Sequence, residues 1–326
     1  MKDVGIVGLP YAGKSTLFAA LTRSGSAGGR SNQAVVEVPD ERIARLAALE
    51  SSKKTVPAKV RFVDVPGGLT AQGIADFRQV DALALVVGAF GAAADPLGDL
   101  AELRSELLLA DLASLESGAT KAHKRARGSE EGKQEVVVLE AANDLLEAER
   151  PLSDGDFDDR ALKMLRGYGP LTLKPWVVVA NVEEGLSLPP GLPDGALAMS
   201  AALEAEVAGL EPAEAAELLE GFGVVEPGLR RVIRACYEAL DLITFLTTGE
   251  DETRAWEVRR GARAPEASGV IHSDLERGFI RAEVVSYADL VTAGSWDAAK
   301  PAGRLRVEGK DYVVKEGDVL HVRFAV

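Results

Sequence analysis

Short runs of almost continuous apolar residues recur in the N-terminal third of the chain and return once after residue 170. They lie at 4–7, 34–38, 60–63, 82–87 and 176–180. A strand that is covered on both faces has no polar side, so such runs are typical of parallel sheets. Helical or loop segments separate the runs. The pattern therefore predicts an α/β domain with a mostly parallel sheet.

A stretch of different character, 97–173, lies between the last two of these runs. Its leucines follow helical spacing in two separate groups, and a polar basic piece divides the groups. The first group is Leu100, Leu103 and Leu107, the second is Leu139, Leu145 and Leu146, and the basic piece contains Lys121, His123, Lys124, Arg125, Arg127 and Gly128. The pattern predicts an antiparallel helical hairpin, or arm, inserted into the α/β domain. Its tip is either a solvated turn or a basic contact point for a partner.

The C-terminal part of the chain, 240–326, has short alternating strands. Near its end Glu316, Gly317 and Asp318 supply turn residues between two apolar runs. This pattern predicts a small mixed domain that closes on a β-hairpin. The α/β domain then comprises 1–96 and 174–239, on either side of the arm.

Composition narrows the class of protein. The net charge of -14 argues against bulk electrostatic binding to nucleic acid, which needs many basic residues facing phosphates. A single cysteine, Cys236, excludes an intramolecular disulfide. The longest apolar run, 82–94, is shorter than the roughly 20 residues that span a bilayer, and no cleavage pattern follows Met1. We expect a cytoplasmic protein that does not enter a membrane.

The stretch GLPYAGKST begins at Gly8 and fits the phosphate-binding loop pattern G-x-x-x-x-G-K-[ST]. An apolar run precedes it and a helical segment, 16–21, follows it, which is the context that the pattern requires. Backbone N–H groups and the helix N-terminus would hold the phosphates. Lys14 is expected to reach the β- and γ-phosphates, and Ser15 to ligate Mg²⁺. The expected phosphate contacts are Gly8, Pro10, Tyr11, Ala12, Gly13, Lys14, Ser15 and Thr16.

A second element, FVDVPG, places Asp64 at the end of an apolar run and Gly67 three residues later. In P-loop switch proteins this aspartate helps to hold Mg²⁺, and the glycine N–H senses the γ-phosphate. We therefore expect Asp64 at the metal and Gly67 at the phosphate.

Two further loops follow late strands, where open parallel sheets bind ligands. In VVVANVEE, Asn181 and Glu184 lie where a guanine-reading loop has N-K-x-D, with Val182 in place of the lysine. Ser200 and Ala201 follow another short strand. We expect all five residues at the base. Adenine lacks the exocyclic N2 donor of guanine, so the altered loop leaves both ATP and GTP open.

The order of GLPYAGKSTLF, FVDVPGGL, NVEE, SAALEAEVAGL and LITFLTTGEDETRAWEVRRGARAPEASGVIHSDLERGFIRAEV resembles the YchF-type, or Obg-like, ATPase family. The resemblance implies a nucleotide domain split by a helical arm, followed by a β-grasp domain of the TGS type. It implies hydrolysis of ATP as well as, or in preference to, GTP, with the N-x-x-E element carried by Asn181 and Glu184. It also implies ribosome or RNA partners, reached through the arm and the TGS-like domain.

The chain departs from that family pattern in two places. Tyr11 stands where the family has an asparagine that helps to hold an activating monovalent cation. The stretch SGSAGGRSNQ, 24–33, lacks the threonine of the family's first switch, with Ser31 as the nearest substitute. No residue that positions the attacking water is identified, so the catalytic residue is unknown.

Three functional hypotheses follow. The first is a slow Mg²⁺-dependent NTPase that acts with a ribosomal partner. The second is a hydrolysis-deficient module that holds a nucleotide and works through its surfaces, which the shortened first switch favours. The third, a P-loop kinase for small molecules, is disfavoured because it has no use for the Asn181 loop or the C-terminal domain.

Overall fold

The computed structural model describes residues 1–24, 26–27, 32–65, 68–126 and 129–325. The strands are β1 (Lys2–Gly8), β2 (Ser26–Ala27), β3 (Gln33–Glu37), β4 (Thr55–Val56), β5 (Lys59–Asp64), β6 (Ala82–Ala89), β7 (Trp176–Val182), β8 (Leu197–Met199), β9 (Leu242–Thr247), β10 (Thr253–Arg259), β11 (Phe279–Ser286), β12 (Arg306–Glu308) and β13 (Asp318–Phe324). The helices are α1 (Lys14–Ser24), α2 (Glu41–Glu50), α3 (Ala71–Phe77), α4 (Pro96–Arg125), α5 (Glu130–Glu147), α6 (Asp159–Arg166), α7 (Ala201–Val207), α8 (Pro212–Gly221), α9 (Gly228–Ala239), α10 (Ala264–Ile271), α11 (Ser273–Arg277), α12 (Tyr287–Ala293) and α13 (Trp296–Ala299). The chain forms two compact units, Met1–Val36 with Arg61–Cys236, and Glu37–Val60 with Tyr237–Val326.

The sheet of the first unit has the strand order β2-β3-β5-β1-β6-β7-β8 among the described residues. The pairs β1–β6, β6–β7 and β7–β8 are parallel, and β2–β3 is antiparallel. All five apolar runs of the sequence lie in these strands, apart from Val38, which directly follows β3. The inner strand β6 is buried from Ala82 to Val87. The prediction of a mostly parallel α/β sheet is confirmed.

The register of the parallel strands brings the candidate site residues to one edge of the sheet. Gly8 pairs with Val86, and Asn181 pairs with both Gly88 and Met199. These residues lie at or near the carboxyl ends of their strands. Because parallel strands end on the same side, the loops after β1, β6, β7 and β8 must all meet there.

The inserted arm is a hairpin of α4 and α5. Asp95 caps α4 by accepting a hydrogen bond from the Gly98 N–H, and Ser129 caps α5 by accepting one from Gly132. Buried leucines and alanines on the facing sides form the core of the arm. The basic piece is more helical than the sequence predicts, because α4 continues to Arg125. Cations in a last helical turn interact favourably with the helix dipole. Arg127 and Gly128 lie outside the described residues.

The second unit contains a six-stranded mixed sheet in the order β12-β11-β13-β9-β10-β4, counted over the described residues. Its core lies between the strands and α10. The segment Glu37–Val60, which the sequence places in the nucleotide domain, belongs to this unit because β4 pairs in parallel with β10.

The predicted terminal β-hairpin is wrong. β13 pairs with β11 and β9, not with the run that precedes it. That run instead bonds with the segment before α10, since the Ala264 N–H donates to Tyr312 O and the Val314 N–H donates to Ala262 O. The buried Asp318 carboxylate accepts hydrogen bonds from the Tyr312 hydroxyl and the Lys315 N–H, which folds the run back.

Within the described ranges, no helix combines the length and the apolar character that a bilayer span requires.

Candidate nucleotide site

The phosphate-binding loop connects β1 to α1, and Lys14 is the first residue of the helix. The Lys14 Nζ donates to the carbonyl oxygens of Gly8 and Leu9, both at 2.7 Å. Burial lowers the pKa of Lys14, while the Asp64 carboxylate acts in the opposite direction. The ammonium group therefore lies at the loop opening, beside the helix N-terminus whose free N–H groups favour an anion.

Only glycine fits at position 13, because of the backbone conformation there and because of the close approach of Asn181. The φ of Gly13 is 93°, in the left-handed region that favours glycine. A Cβ atom built on it would lie 2.0 Å from the Nδ2 of Asn181, which leaves no room for a side chain. The second glycine of the motif thus lets the phosphate loop touch the end of β7.

Tyr11 also has a left-handed backbone, with φ of 67°. Its side chain is 95% exposed, so no packing offsets the steric cost of that conformation. The phenol projects into solvent from the phosphate loop. Pro10, Ser15 and Thr16 are exposed as well, whereas Gly8 and Ala12 are buried.

Asp64 ends β5, and burial raises its pKa while the Lys14 ammonium acts in the opposite direction. Its carboxylate and the Ser15 hydroxyl are the hard oxygen donors that Mg²⁺ prefers. Over the described ranges, no group of three or more His, Cys, Asp or Glu is placed to hold a metal. Mg²⁺ is usually held by one or two protein oxygens, phosphates and water, so the residues present fit that ion. Gly67, the expected γ-phosphate contact, lies outside the described residues, as does Ser31.

Asn181 joins the phosphate loop to the two base-side loops. Its Nδ2 donates to Ala12 O at 3.1 Å, and its Oδ1 accepts from the Ala201 N–H at 2.9 Å. Ser200 caps α7 by accepting from the Leu203 N–H, and its hydroxyl donates to Glu184 Oε1 at 3.3 Å. The predicted residues of the phosphate and base loops are therefore in direct contact. Asn181 holds the loops together, a positioning role that the motif alone does not reveal.

Phe90 is a candidate that the sequence analysis missed. It directly follows β6 and is 42% exposed. A Cβ atom on Gly88 would lie 3.6 Å from Ala12 Cα and 3.9 Å from Phe90 Cε1. The available signal was an aromatic residue directly after a buried parallel strand, at the ligand-binding edge. The next residue, Gly91, donates its N–H to Glu183 Oε1 at 2.9 Å, which ties this loop to the loop after β7.

A cavity of about 540 Å³ opens next to the base-side loops. Its lining includes Val182, Ser200 and the buried Glu204. Glu204 Oε1 accepts a hydrogen bond from the Gly228 N–H. Burial raises the pKa of Glu204, and the backbone N–H donors of Leu229 and Gly228 partly offset this.

The fold and this loop arrangement define a P-loop nucleoside triphosphatase with a GTPase-like α/β domain and an inserted helical arm. Two family models match the chain. Residues 3–181 match the model described as a 50S ribosome-binding GTPase, and residues 242–325 match the YchF-GTPase C-terminal model, described as a protein of unknown function.

The same conclusion comes from whole-length relatives. A ribosome-binding ATPase YchF of Bacillus subtilis is 39% identical over 361 residues, covering 99% of both chains. The protein of the same description from Haemophilus influenzae is 40% identical over 358 residues, again with 99% of both chains covered. The solved structure of the Schizosaccharomyces pombe YchF GTPase superimposes with a TM-score of 0.89 at 31% identity, covering 99% of this chain and 97% of that one. The chain belongs to the YchF family.

Proposed function

We propose that this protein is a slow, Mg²⁺-dependent NTPase that favours ATP over GTP and acts on the ribosome. The observation that carries the proposal is the meeting of four loops at one sheet edge. There Asn181 bonds to the phosphate loop and to Ala201, and the charges of Lys14 and Asp64 influence each other. The names of the relatives, ribosome-binding ATPases, supply the activity and the partner.

The roles of the residues at the triphosphate follow from their chemistry. Lys14 would leave the Gly8 and Leu9 carbonyls and bond to the β- and γ-phosphates, with the N–H groups at the start of α1. Ser15 and Asp64 would hold Mg²⁺, directly or through water. The ion, when bound, neutralises charge that develops on the phosphates. Positioning and electrostatics supply most of the acceleration in phosphoryl transfer, so these residues carry the proposed turnover.

The base would lie between the loop after β6 and the base-side loops. Val182 lacks the amine of the usual lysine, and the Ser200 hydroxyl bonds to one oxygen of Glu184. The other carboxylate oxygen can accept from the exocyclic amine of adenine. The ring of Phe90 offers an apolar face for stacking. These features support ATP, while a carboxylate still permits guanine.

The partner is proposed to be the ribosome or its RNA, reached through the arm and the C-terminal unit, which we interpret as a TGS-like domain. Such a role would place the protein in the cytoplasm. The net charge of -14 requires that any RNA contact use a local basic patch.

Two observations favour the alternative of a module that binds nucleotide without cutting it. Tyr11 is solvent-exposed on the phosphate loop, and no described residue is identified that orients a water. In that case binding is retained and turnover is absent.

Isothermal titration of the protein with ATP and with GTP, in Mg²⁺, tests the nucleotide site. We expect both to bind, ATP more tightly, and Lys14→Ala to weaken binding at least tenfold, because a hydrogen bond to a charged group contributes about 1.5–3 kcal/mol. Lys53→Ala, at an exposed lysine of the other unit, should bind as the unaltered protein does. Equal affinity of the Lys14→Ala and unaltered proteins would contradict the proposal.

A further inference from the structure

The two connections of the helical arm meet at one buried carboxylate. Asp111, on α4, is fully buried. Its oxygens accept from the Leu171 N–H at 2.9 Å, the Thr172 N–H at 2.7 Å and the Thr172 hydroxyl at 2.9 Å. Asp111 lies in the chain that enters the arm, and Leu171 and Thr172 lie in the chain that leaves it. One side chain therefore fixes both ends of the insertion to each other.

Arg78, the residue directly after α3, completes this cluster. Its guanidinium donates to Asp111 Oδ1 at 3.0 Å, Gly169 O at 3.0 Å and Ala110 O at 2.9 Å. Its side chain is only 16% exposed. A planar guanidinium with several donors is suited to holding three acceptors in fixed directions. The end of α3 is thus hydrogen-bonded to both the segment that enters the arm and the segment that leaves it.

Lys174 makes the reverse connection, from the arm exit back to α3. Its ammonium donates to the carbonyl oxygens of Arg78 and Val80, at 3.1 and 2.5 Å. Burial lowers its pKa, and the nearby carboxylates of Asp81 and Asp111 act in the opposite direction. Two cations, Arg78 after α3 and Lys174 after the arm, therefore hold α3 and the arm base together.

The other end of α3 contacts Gly68, four residues after Asp64. Thr70 caps the helix by accepting from the Gly73 N–H. A Cβ atom on Gly73 would lie 1.9 Å from Gly68 O, so helix and loop backbones are packed without intervening side chains. Near the opposite end, Phe77 is fully buried in the core of the unit. A seven-residue helix held at both ends moves as one rigid piece, since close-packed interiors transmit displacement.

We propose that Arg78 and Asp111 are positioning residues that couple the nucleotide site to the helical arm. A displacement of Gly68 is passed through α3 to the arm base, so a bound nucleotide changes the affinity of the arm for a partner. The partner then changes the affinity for nucleotide by the same factor, because such coupling is reciprocal. The coupling rests on the proposed function in one respect, namely that Asp64 and Gly68 shift when the γ-phosphate is bound.

Amide hydrogen exchange of the intact protein tests the coupling, with Mg²⁺ and either ADP or a non-hydrolysable ATP analogue. We expect the change of nucleotide to alter exchange at least severalfold in four segments: the phosphate loop, 68–77, and the two parts of the arm base, 108–112 and 169–174. A response at 68–77 that stops before the arm base overturns the coupling and leaves the proposed function standing. No response at 68–77 overturns both the sensor role and the coupling.

Arg78→Lys provides the second arm of the test. A lysine keeps the charge but cannot reach three acceptors, so the response at 108–112 and 169–174 should be lost while nucleotide still protects the phosphate loop. Arg104→Lys, at an exposed arginine of α4, is the matched control and should respond as the unaltered protein does. An unchanged arm-base response in Arg78→Lys overturns the proposal. The measurement on the unaltered protein decides the matter if the variant does not fold.

Discussion

Tyr11 has a backbone conformation that is sterically unfavourable for a residue with a Cβ atom. A non-glycine residue in the left-handed region loses about 1–2 kcal/mol, and asparagine tolerates this region better than tyrosine. Since the side chain is 95% exposed, its replacement removes little packing. We predict that Tyr11→Asn raises the free energy of unfolding by about 0.5–1 kcal/mol. Chemical denaturation measures this, with Tyr11→Phe as a control that should not change stability. A loss of stability in Tyr11→Asn would contradict the account.

Glu204 predicts a pH dependence of stability. Burial raises its pKa in the folded protein above the unfolded value of about 4.3. The protein therefore loses stability as pH rises from the unfolded pKa to the folded pKa of this carboxyl group. Glu204→Gln cannot ionise and its side-chain oxygen can still accept from the Gly228 N–H. The melting temperature of the variant relative to the unaltered protein should therefore increase as pH rises above about 4.3, and level off above the folded pKa. A difference that shrinks over that range would contradict the raised pKa.

At the residue scale, the sequence predicts those parts of the site whose residues lie close together in one short motif. The glycine spacing and Lys14 predict the phosphate loop because the turn chemistry lies within eight residues. The bond between Asn181 and Ala12 joins residues 169 positions apart, so no local pattern can reveal it. Phe90 likewise reaches the ligand-binding edge only through the fold, since it follows β6 and β6 pairs with β1. Their placement depends on the register of the strands.

At the scale of elements, the apolar runs predict the parallel strands because a strand buried on both faces needs apolar residues at every position. The terminal hairpin fails because alternation shows that a segment is a strand without showing its partner. Asp318 illustrates the difficulty: read as a turn residue, it is buried and bonded to Tyr312. The length of α4 was also underestimated, since charged residues look alike in a helix end and in a loop.

The cluster at the arm base predicts a large effect of one substitution. Asp111→Ala leaves the Arg78 charge, two backbone N–H groups and a hydroxyl without their acceptor. Breaking a buried ion pair in this way costs about 3–5 kcal/mol of stability. Urea denaturation should show a loss of this size. The control Asp144→Ala, at an exposed position of α5, should cost less than about 0.5 kcal/mol. Similar midpoints for the two variants would contradict the assigned role.

At the scale of the whole molecule, the sequence predicts an arm and a C-terminal domain but not the division of the chain between two units. Residues Glu37–Val60 belong with the C-terminal segment because a two-residue strand pairs with β10. So short a strand has no periodicity to detect. The family resemblance, in contrast, spans nearly the full chain, and the comparisons confirm it.

The arm tip gives a prediction about the proposed ribosomal partner. Arg125 is bonded to Glu135 at 2.9 Å, so reversing its charge would disturb the arm itself. Lys121 and Lys124 are exposed and offer a cleaner test. If the tip touches RNA, Lys124→Glu should weaken co-sedimentation with ribosomes and lower the salt-dependence slope of binding by about 1. Lys163→Glu, an exposed charge reversal on α6, is the control. Unchanged binding in Lys124→Glu would exclude the tip as the contact.

The most direct test of the central claim is phosphate release from ATP and from GTP, measured side by side in Mg²⁺ with Lys14→Ala as the blank. We expect slow release above this blank, faster with ATP than with GTP. Release no greater than the Lys14→Ala blank with both nucleotides, from a protein that still binds them, would contradict hydrolysis and identify a nucleotide-held interaction module instead.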